Sequence, residues 1–245
     1  MKAIEIKGLT KRYKTKVAVD HMDLTVEEGE LFSLLGVNGA GKTTTIRMLS
    51  CLSEPTEGEA HVLGFDVRTQ PNEVKARIGI SPQDTAVADN LTVRENLEFM
   101  AAVYGKHGTQ AKEKVEEMIR IFHMEEVAHT RAKTLSGGWK RKLSIAMALI
   151  GAPKLLFLDE PTLGLDVLAR RELWQAIEAL KGKITIVLTT HYMEEAEQLS
   201  DRIAILIDGR ICAVGTLAEI EAISGQKGLE NAFVEIAGKG RTIDA

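Results

Sequence analysis

Cysteine and aromatic residues are scarce in this 245-residue chain. Its two cysteines, Cys51 and Cys212, are far apart and have no metal-like spacing, which favours a reducing compartment and argues against a disulfide framework. We expect both to be small buried hydrophobic residues. Aromatic residues make up 4% of the chain, so an aromatic side chain that stands among basic residues is a candidate for stacking on a ligand.

Long apolar segments and an excess of basic charge are also missing. No apolar run approaches the ~20 residues that a membrane-spanning helix needs, and Lys2, Glu5 and Lys7 interrupt the stretch where a secretory signal would be apolar. The net charge of −4 excludes a bulk attraction to nucleic acid or to an anionic membrane surface. We therefore expect any membrane role to depend on a partner protein.

The residues that are present, 44% hydrophobic and 27% charged, are typical of a globular protein with a sizeable core. Their periodicity predicts an α/β fold with a mostly parallel sheet, an N-terminal antiparallel β subdomain and an inserted α-helical subdomain. We expect one domain over residues 1–245. Its core comprises 1–84 and 151–215, its helical subdomain 85–150 and its C-terminal tail 216–245.

The apolar patterns and turn residues give approximate element positions. The predicted strands are 3–6, 22–26, 31–35, 59–63, 78–80, 155–158, 184–190 and 203–207, the last entering a hairpin at Asp208-Gly209. The predicted helices are 42–51, a short helix led by Pro71, 92–104, 109–123, 137–150, 167–180, 193–199 and 229–237.

Residues 36–43, the phosphate loop, fit the pattern GxxxxGK followed by Thr, and they lie between a predicted buried strand and a predicted helix. Glycines in such a loop let the backbone N–H groups curl around phosphates, while Lys42 reaches the β and γ oxygens and Thr43 holds Mg²⁺. The alternative is a glycine-rich turn that only caps a helix. The position between strand and helix favours the phosphate site.

Asp159 and Glu160 follow the predicted strand 155–158. An acidic residue at the end of a strand beside a phosphate loop binds Mg²⁺ through water, which is the role we expect for Asp159. Glu160 is the candidate general base that activates the attacking water. The pair would alternatively cap the next helix, but the stiff turn that ends at Asp166 favours a functional role.

His191, Gln83 and Tyr13 complete the set of candidates. His191 directly follows a predicted strand, so it emerges where α/β sheets bind ligands and its imidazole reaches a γ-phosphate. Gln83 is a neutral group for contact with Mg²⁺ or water, and Tyr13, among Lys11, Arg12 and Lys14, is placed to stack on adenine. Read singly, each has a plainer alternative, such as a bystander histidine or a surface amide.

A second phosphate site is predicted at Ser136, Gly137 and Gly138, which we call the serine–glycine segment. A hydroxyl and two glycines at the start of a helix turn backbone N–H groups and the helix dipole towards an anion. A chain with two phosphate sites of different kinds requires an explanation, and a dimer supplies one.

Together these residues resemble the nucleotide-binding subunit of an ATP-binding cassette (ABC) transporter over nearly the whole chain, in the order of that family. The resemblance implies a P-loop NTPase core and the cofactors ATP and Mg²⁺. The catalytic residues it implies are Glu160, His191 and Gln83, and the metal-binding residues are Thr43, Gln83 and Asp159. The nucleotide-binding residues it implies are Tyr13, Gly36, Asn38, Gly39, Ala40, Gly41, Lys42, Thr43, Thr44, Ser136, Gly137, Gly138 and Asp166.

In that family the phosphate loop of one subunit and the serine–glycine segment of the other clasp the same γ-phosphate. The resemblance therefore implies a second nucleotide-binding subunit, for which a second copy of this chain suffices. It also implies integral membrane permease subunits, a position on the cytoplasmic face of the membrane and no nucleic-acid partner. Residues 91–97, the turn 159–166 and the tail 229–234 resemble the branch that exports drugs, lipids or sodium, and import systems share some of these segments.

The chain departs from the family pattern at two positions. Val37 stands where most relatives have proline, and Trp139 stands where glutamine is commonest. We expect Val37 to loosen the entry of the phosphate loop without removing a phosphate contact. Trp139 is expected to pack at a dimer or subdomain contact.

Two other functions are compatible with part of these motifs. A soluble cassette ATPase that acts on ribosomes or DNA usually carries two cassettes or basic patches, and the acidic balance disfavours it. A small-molecule kinase would use the phosphate loop but would leave the serine–glycine segment and His191 without a task.

Overall fold

A computed structural model describes the backbone of residues 1–242. Its strands are β1 (Lys2–Tyr13), β2 (Lys16–Glu27), β3 (Leu31–Leu35), β4 (Glu57–Val62), β5 (Phe65–Asp66), β6 (Ile78–Ser81), β7 (Leu155–Asp159), β8 (Thr185–Thr190), β9 (Arg202–Ile207) and β10 (Arg210–Gly215). Its α-helices are α1 (Lys42–Leu49), α2 (Pro71–Lys75), α3 (Val93–Val103), α4 (Gly108–Ile121), α5 (Gly137–Leu149), α6 (Val167–Glu178), α7 (Met193–Leu199), α8 (Leu217–Ser224) and α9 (Leu229–Thr242).

Among the described residues, the strands form two sheets. A four-stranded antiparallel sheet has the order β2-β1-β4-β5. A six-stranded sheet has the order β10-β9-β3-β8-β7-β6, and all its pairs are parallel except the hairpin of β9 and β10. The predicted α/β fold, with its antiparallel N-terminal part and mostly parallel sheet, is confirmed.

The central strands β3, β7 and β8 are buried along their whole length. Each reads in the sequence as a nearly continuous apolar run, as expected for strands that have covering layers on both faces. One core cluster joins α3, α4, α5 and α6 to one face of the sheet, and another joins the four-stranded sheet and α1 to the other face. Because β3, β8 and β7 are parallel neighbours, their carboxyl ends meet at one edge of the sheet.

The predicted helices and strands are found, most with small shifts at their ends, and the short strand β5 pairs with β4 where no strand was expected. Two further features differ from the expectation. β1 and β2 are each 12 residues long, because the second half of β1 pairs with the first half of β2 through irregularities near Leu9 and Lys11. The tail holds an additional helix, α8, before α9.

The expectation that both cysteines are buried is wrong. Cys51 is half-buried in the turn after α1, and Cys212 is exposed. Cys212 lies on β10, the edge strand of its sheet, at a position where the side chain faces solvent.

Helices α3, α4 and α5 lie between β6 and β7 in the sequence, and they pack against one another. α3 contacts α4 and α5, and its start is fixed by reciprocal hydrogen bonds between Thr92 and Glu95. The division of the chain into core, helical subdomain and tail stays a prediction. Within the described residues, no helix combines the length and the apolar character that crossing a membrane requires.

Candidate functional site

The phosphate loop joins the carboxyl end of β3 to the start of α1. Gly39 and Gly41 have φ angles of 85° and 108°, a region that L side chains rarely adopt. A Cβ atom on Gly41 would lie 2.5 Å from the Ala18 carbonyl oxygen, and one on Gly36 would lie 2.4 Å from that of Leu206. Glycine at these positions thus permits both the curl of the loop and its close approach to neighbouring backbone.

A cavity of about 430 Å³ lies over the phosphate loop. We call it the phosphate-loop cavity. The predicted site residues that line it are Tyr13, Asn38, Gly39, Gly41, Lys42, Thr43, Thr44, Gln83, Glu160 and His191. The structure thus brings together side chains from β1, α1 and the ends of β6, β7 and β8.

Lys42 is buried at the floor of this cavity. Its Nζ donates to the carbonyl oxygens of Gly36 at 2.8 Å and Val37 at 3.3 Å, and it lies 3.1 Å from Oε1 of Glu160. The other carboxylate oxygen of Glu160 lies 3.0 Å from Nδ1 of His191. Glu160 therefore bridges a cation and an imidazole, each from a different element.

The backbone of Glu160 is in the left-handed region, with a φ of 47°. Such a conformation costs about 1–3 kcal/mol for a residue with a side chain, and persists only where its surroundings hold it. Here its N–H donates to the backbone oxygen of Thr189 at 3.0 Å and to the Thr189 hydroxyl at 3.1 Å. The strained turn directs the carboxylate towards the cavity.

Asp159 lies just below the cavity. Its Oδ1 accepts hydrogen bonds from the hydroxyls of Thr43, at 3.2 Å, and Thr189. Among the described residues no group of three or more His, Cys, Asp and Glu side chains forms a metal cage. One carboxylate beside one hydroxyl is the type of donor set that holds Mg²⁺ when phosphates supply further ligands, so these residues fit that cation.

Tyr13 and Gln83 lie on the rim. The Tyr13 ring is 44% exposed, and Nζ of Lys11 lies 5.1 Å from its centre. Gln83, in the loop after β6, is exposed and lines the cavity. Both side chains therefore face the same space as the phosphate loop.

The serine–glycine segment lies elsewhere on the subunit, at the start of α5. Ser136 is the N-cap, and its Oγ accepts from the N–H of Trp139 at 3.4 Å. A Cβ on Gly138 would lie 3.1 Å from that of Ala169, so the segment adjoins the start of α6. Asp166 caps α6 by accepting from the N–H groups of Leu168 and Ala169 at 2.9 and 3.0 Å.

A family model described as "ABC transporter" matches residues 19–163. The daunorubicin/doxorubicin resistance ATP-binding protein DrrA of Streptomyces peucetius is 44% identical over 225 residues, which cover 91% of this chain and 68% of DrrA. The chain belongs to the ABC transporter family.

Solved structures agree with this membership. The ATP-binding subunit of an ABC transporter superposes with a TM-score of 0.85 and 31% identity over 96% of this chain and 99% of that one. A dimeric ATP-binding cassette in a post-hydrolysis state, bound to ADP and Pi, superposes with a TM-score of 0.78 and 27% identity over 87% and 98% of the two chains. The chain is accordingly an ABC ATPase with an ATP-binding domain.

Some relatives of this ABC chain are much longer than it is. The match covers 13% of human phospholipid-transporting ATPase ABCA3, at 42% identity over 87% of this chain. It covers 41% of the probable multidrug ABC transporter ATP-binding protein YbhF of Escherichia coli, at 39% identity over 95% of this chain. The chain thus matches only part of each of these proteins.

Several residues of this ABC site escaped the sequence prediction. Lys16, Ala18 and Leu163 line the cavity, and Thr189 supports both Asp159 and Glu160. Thr189 is the penultimate residue of a buried strand, two residues before His191, so a buried polar residue near the end of that strand was the available signal. Lys16 and Ala18 had no such signal, because their place depends on how β2 approaches the loop.

Of the two departures from the ABC pattern, Val37 lies within the phosphate loop and is 44% exposed. Trp139 is half-buried and packs against the core of the central helices. Nζ of Lys142 lies 4.5 Å from the centre of the Trp139 ring, and it also pairs with Glu172 of α6 at 2.8 Å. Trp139 thus contributes to the contact between α5 and α6.

Proposed function

We propose that two copies of this chain enclose ATP between them, hydrolyse it and drive transport through separate membrane-spanning subunits. The observation that carries the proposal is the division of polar groups within one subunit. The phosphate-loop cavity has the loop, the acidic residues and His191, whereas the serine–glycine segment and Asp166 lie on another surface. A second subunit would unite the two surfaces at one nucleotide.

In this proposal the phosphate loop binds the phosphates through its backbone N–H groups. Lys42 exchanges part of its contact with Glu160 and the loop carbonyls for the β and γ oxygens, which are stronger partners for a buried cation. Tyr13 stacks on adenine with one open ring face. Nucleotide binding and release of the Lys42 to Glu160 pair are therefore coupled.

Thr43 and Asp159 would hold Mg²⁺, with Gln83 as a further oxygen ligand at the rim. When bound, the ion would neutralise charge on the phosphate oxygens. Thr189 keeps Asp159 oriented through its hydroxyl. The buried position of Asp159, which is 4% exposed, shields this carboxylate from bulk water.

Glu160 is the proposed general base. Its carboxylate oxygens lie 3.0 Å from Nδ1 of His191 and 3.1 Å from Nζ of Lys42, and these contacts orient it towards the cavity. His191 is proposed to hold both Glu160 and the γ-phosphate, and Gln83 to orient the attacking water. Proton transfer to Glu160 would then accompany attack of water on the γ-phosphate.

The serine–glycine segment is proposed to bind the nucleotide held by the other subunit. Its residues are exposed or half-buried at the positive end of the α5 dipole. Apolar side chains flank this surface, since Val167 is 65% and Leu168 74% exposed at the start of α6. Covering them gives a reason for the two subunits to associate.

Export is the proposed direction, and drugs or lipids are the proposed cargo class. The proposal draws on the names of DrrA, YbhF and ABCA3, which refer to drug resistance and phospholipid transport.

We place the subunit at the cytoplasmic face of the membrane, attached through its permease partner and without a nucleic-acid partner. We also propose residues 85–150 as the helical subdomain, with 216–245 as a C-terminal tail.

The decisive experiment uses Glu160→Gln, which removes the base and keeps an amide of similar shape. The variant should bind ATP, fail to hydrolyse it and elute as a dimer with Mg-ATP, whereas the same protein without nucleotide elutes as a monomer. Size-exclusion chromatography with light scattering measures this. Monomeric elution at saturating Mg-ATP would contradict the ATP-enclosing dimer.

Fractionation tests the membrane partner. The protein should sediment with membranes only when its permease is co-expressed. Sedimentation with polysomes regardless of a permease would favour the ribosome-associated alternative instead.

A further inference from the structure

Helix α5 contacts β6 and the following loop, which carries Gln83, at successive turns. Near its carboxyl end, a Cβ on Gly79 of β6 would lie 2.4 Å from the carbonyl oxygen of Ala148, so helix and strand are in direct backbone contact. One turn earlier, the hydroxyls of Ser144 and Ser81 lie 2.9 Å apart, both buried. The spacing of 144 and 148 puts these residues on one helix face.

Arg141 continues the same face by one more turn. Its Nη1 donates to the carbonyl oxygen of Pro82 at 2.6 Å, and its Nη2 donates to that of Gln83 at 2.5 Å. The side chain is 4% exposed. The planar guanidinium fork fits two consecutive carbonyl groups, which a lysine ammonium would not hold together.

Burying a guanidinium at this position costs desolvation free energy. Burial lowers the pKa of Arg141, against the opposing attraction of Asp159, Asp84 and Glu195. Two charge-assisted hydrogen bonds offset part of that desolvation. An apolar side chain would fill the same space without the cost, yet it would leave the Gln83 backbone unattached to α5.

The two ends of this connection belong to different nucleotide sites of the proposed dimer. Gln83 lines the phosphate-loop cavity of its own subunit, whereas the serine–glycine segment begins the helix that contains Arg141. Five residues of helix, ~7 Å, separate Ser136 from Arg141. A displacement of the Gln83 backbone is thereby transmitted to the segment through a rigid helix.

We propose that Arg141 is a positioning residue that fixes the Gln83 loop to α5, so that filling the cavity of one subunit sets the serine–glycine segment it offers to the other. This inference rests on the proposed dimer. Arg141 does not line the cavity, so its loss leaves nucleotide binding by the single subunit intact. What is lost is the coupling between binding and association.

The test is made in the Glu160→Gln background, with Arg141→Gln and Arg141→Lys added separately. Fluorescent-nucleotide titration measures ATP affinity, and light scattering measures the ATP concentration that produces half-maximal dimer. For Arg141→Gln we expect affinity within about twofold of the parent and a dimerisation midpoint raised at least about tenfold. Arg141→Lys, which retains the charge and one contact, should lie between.

Lys142→Gln is the matched control. It removes a neighbouring buried cation of the same helix that pairs with Glu172 of α6 instead of the Gln83 loop. Its dimerisation midpoint should equal that of the parent. Thermal unfolding of every variant establishes that it is folded, and Ser144→Val weakens the same connection without removing a charge if Arg141→Gln does not fold.

The outcomes separate the two proposals. If the Glu160→Gln parent forms no dimer with Mg-ATP, the proposed function fails and this inference fails with it. If the parent dimerises and both Arg141 variants dimerise at the parental ATP concentration, the inference is overturned while the proposed function stands. Equal losses of affinity and of dimerisation would also overturn it, because they indicate a general structural role.

Discussion

The phosphate-loop cavity and the serine–glycine segment differ in how their polar groups are satisfied. In the cavity, Lys42 contacts two carbonyl oxygens and Glu160, and Glu160 contacts His191. At the segment, the Ser136 hydroxyl has one long hydrogen bond of 3.4 Å. Outside its own helix backbone, a Cβ on Gly137 would meet only Cδ2 of Leu165, at 3.9 Å, so the space beside this glycine is open.

The difference indicates when each region acts. The cavity is a preformed network whose charges are already held close to their working positions. The segment has N–H groups at a helix start that suit an anion, and in the proposed dimer that anion is the nucleotide of the other subunit. Changes in the cavity should therefore alter nucleotide binding itself, whereas changes in the segment should alter only steps that follow association.

Replacing Lys42 with Ala should give the largest effect. The variant loses the cation that is proposed to contact the phosphates, and of its two side-chain contacts in this network Glu160 keeps only the one with His191. We expect ATP affinity of the single subunit to fall about 100-fold, the loss typical of charge-assisted hydrogen bonds. Fluorescent-nucleotide titration of the monomer measures it.

Lys14→Ala is the control for this prediction, because Lys14 is an exposed cation in the adjacent turn that does not line the cavity. Its ATP affinity should match that of the wild type. Unchanged affinity in Lys42→Ala would mean that the loop was wrongly assigned and would remove the difference between the two regions.

Replacing Ser136 with Ala should have a smaller effect of another kind. Monomer ATP affinity should stay at the wild-type value, while kcat falls at least about tenfold because one donor to the partner's nucleotide is missing. Loss of the cap also destabilises α5 by about 1 kcal/mol. Steady-state ATPase assays combined with monomer titration separate the two quantities.

Two variants show whether the hydroxyl acts on nucleotide or only on the helix. Ser136→Thr restores an N-cap hydroxyl and should recover most of kcat. Thr92→Ala removes the corresponding cap from α3, away from the segment, and should lower stability with little change in kcat. A loss of monomer ATP affinity in Ser136→Ala would place the segment in the subunit's own site.

The fold was predictable where burial dictates residue type. β3, β7 and β8 are buried throughout and read as apolar runs, and the amphipathic helices α3 and α4 have clear periodicity. α8 was missed because its buried residues are only Ile220 and Ser224, although Thr216 and Glu219 form the reciprocal cap that marks its start.

The site was predictable in its residue types and less so in its contacts. Glycines, Lys42, Asp159 and Glu160 have local spacing that reports a phosphate site. The Thr189 hydrogen bonds and the Lys42 to Glu160 pair depend on β8 lying between β3 and β7. That strand order is set by tertiary packing over more than 100 residues and leaves no local pattern.

Buried Glu195 connects the helix that follows His191 of the phosphate-loop cavity to the helix that adjoins the serine–glycine segment. It lies on α7, which follows His191, and its Oε1 accepts from Nε1 of Trp174 on α6, the helix that Asp166 caps, at 3.0 Å. The carboxyl is fully buried. Among the described side chains, its Oε2, the Thr162 hydroxyl and Nε of Arg170 have no hydrogen-bond partner.

Burial raises the pKa of Glu195 above its ordinary value of 4.5, against the opposing effects of Thr190, Thr162, Trp174 and Arg170. The folded state therefore binds this proton more tightly than the unfolded state does. The resulting stability is fully present below pH 4.5 and is lost as the pH rises through the raised value. Wild-type protein thus has a pH-dependent loss of stability that a neutral side chain would lack.

Glu195→Gln should remove that dependence while its amide oxygen still accepts from Trp174. We expect the unfolding free energy of the variant, relative to wild type, to increase as the pH rises above 4.5. Urea unfolding at several pH values measures the difference, and Glu194→Gln, an exposed neighbour on the same helix, should give a constant one. A constant difference for Glu195→Gln as well would mean that burial does not raise the pKa of this carboxyl.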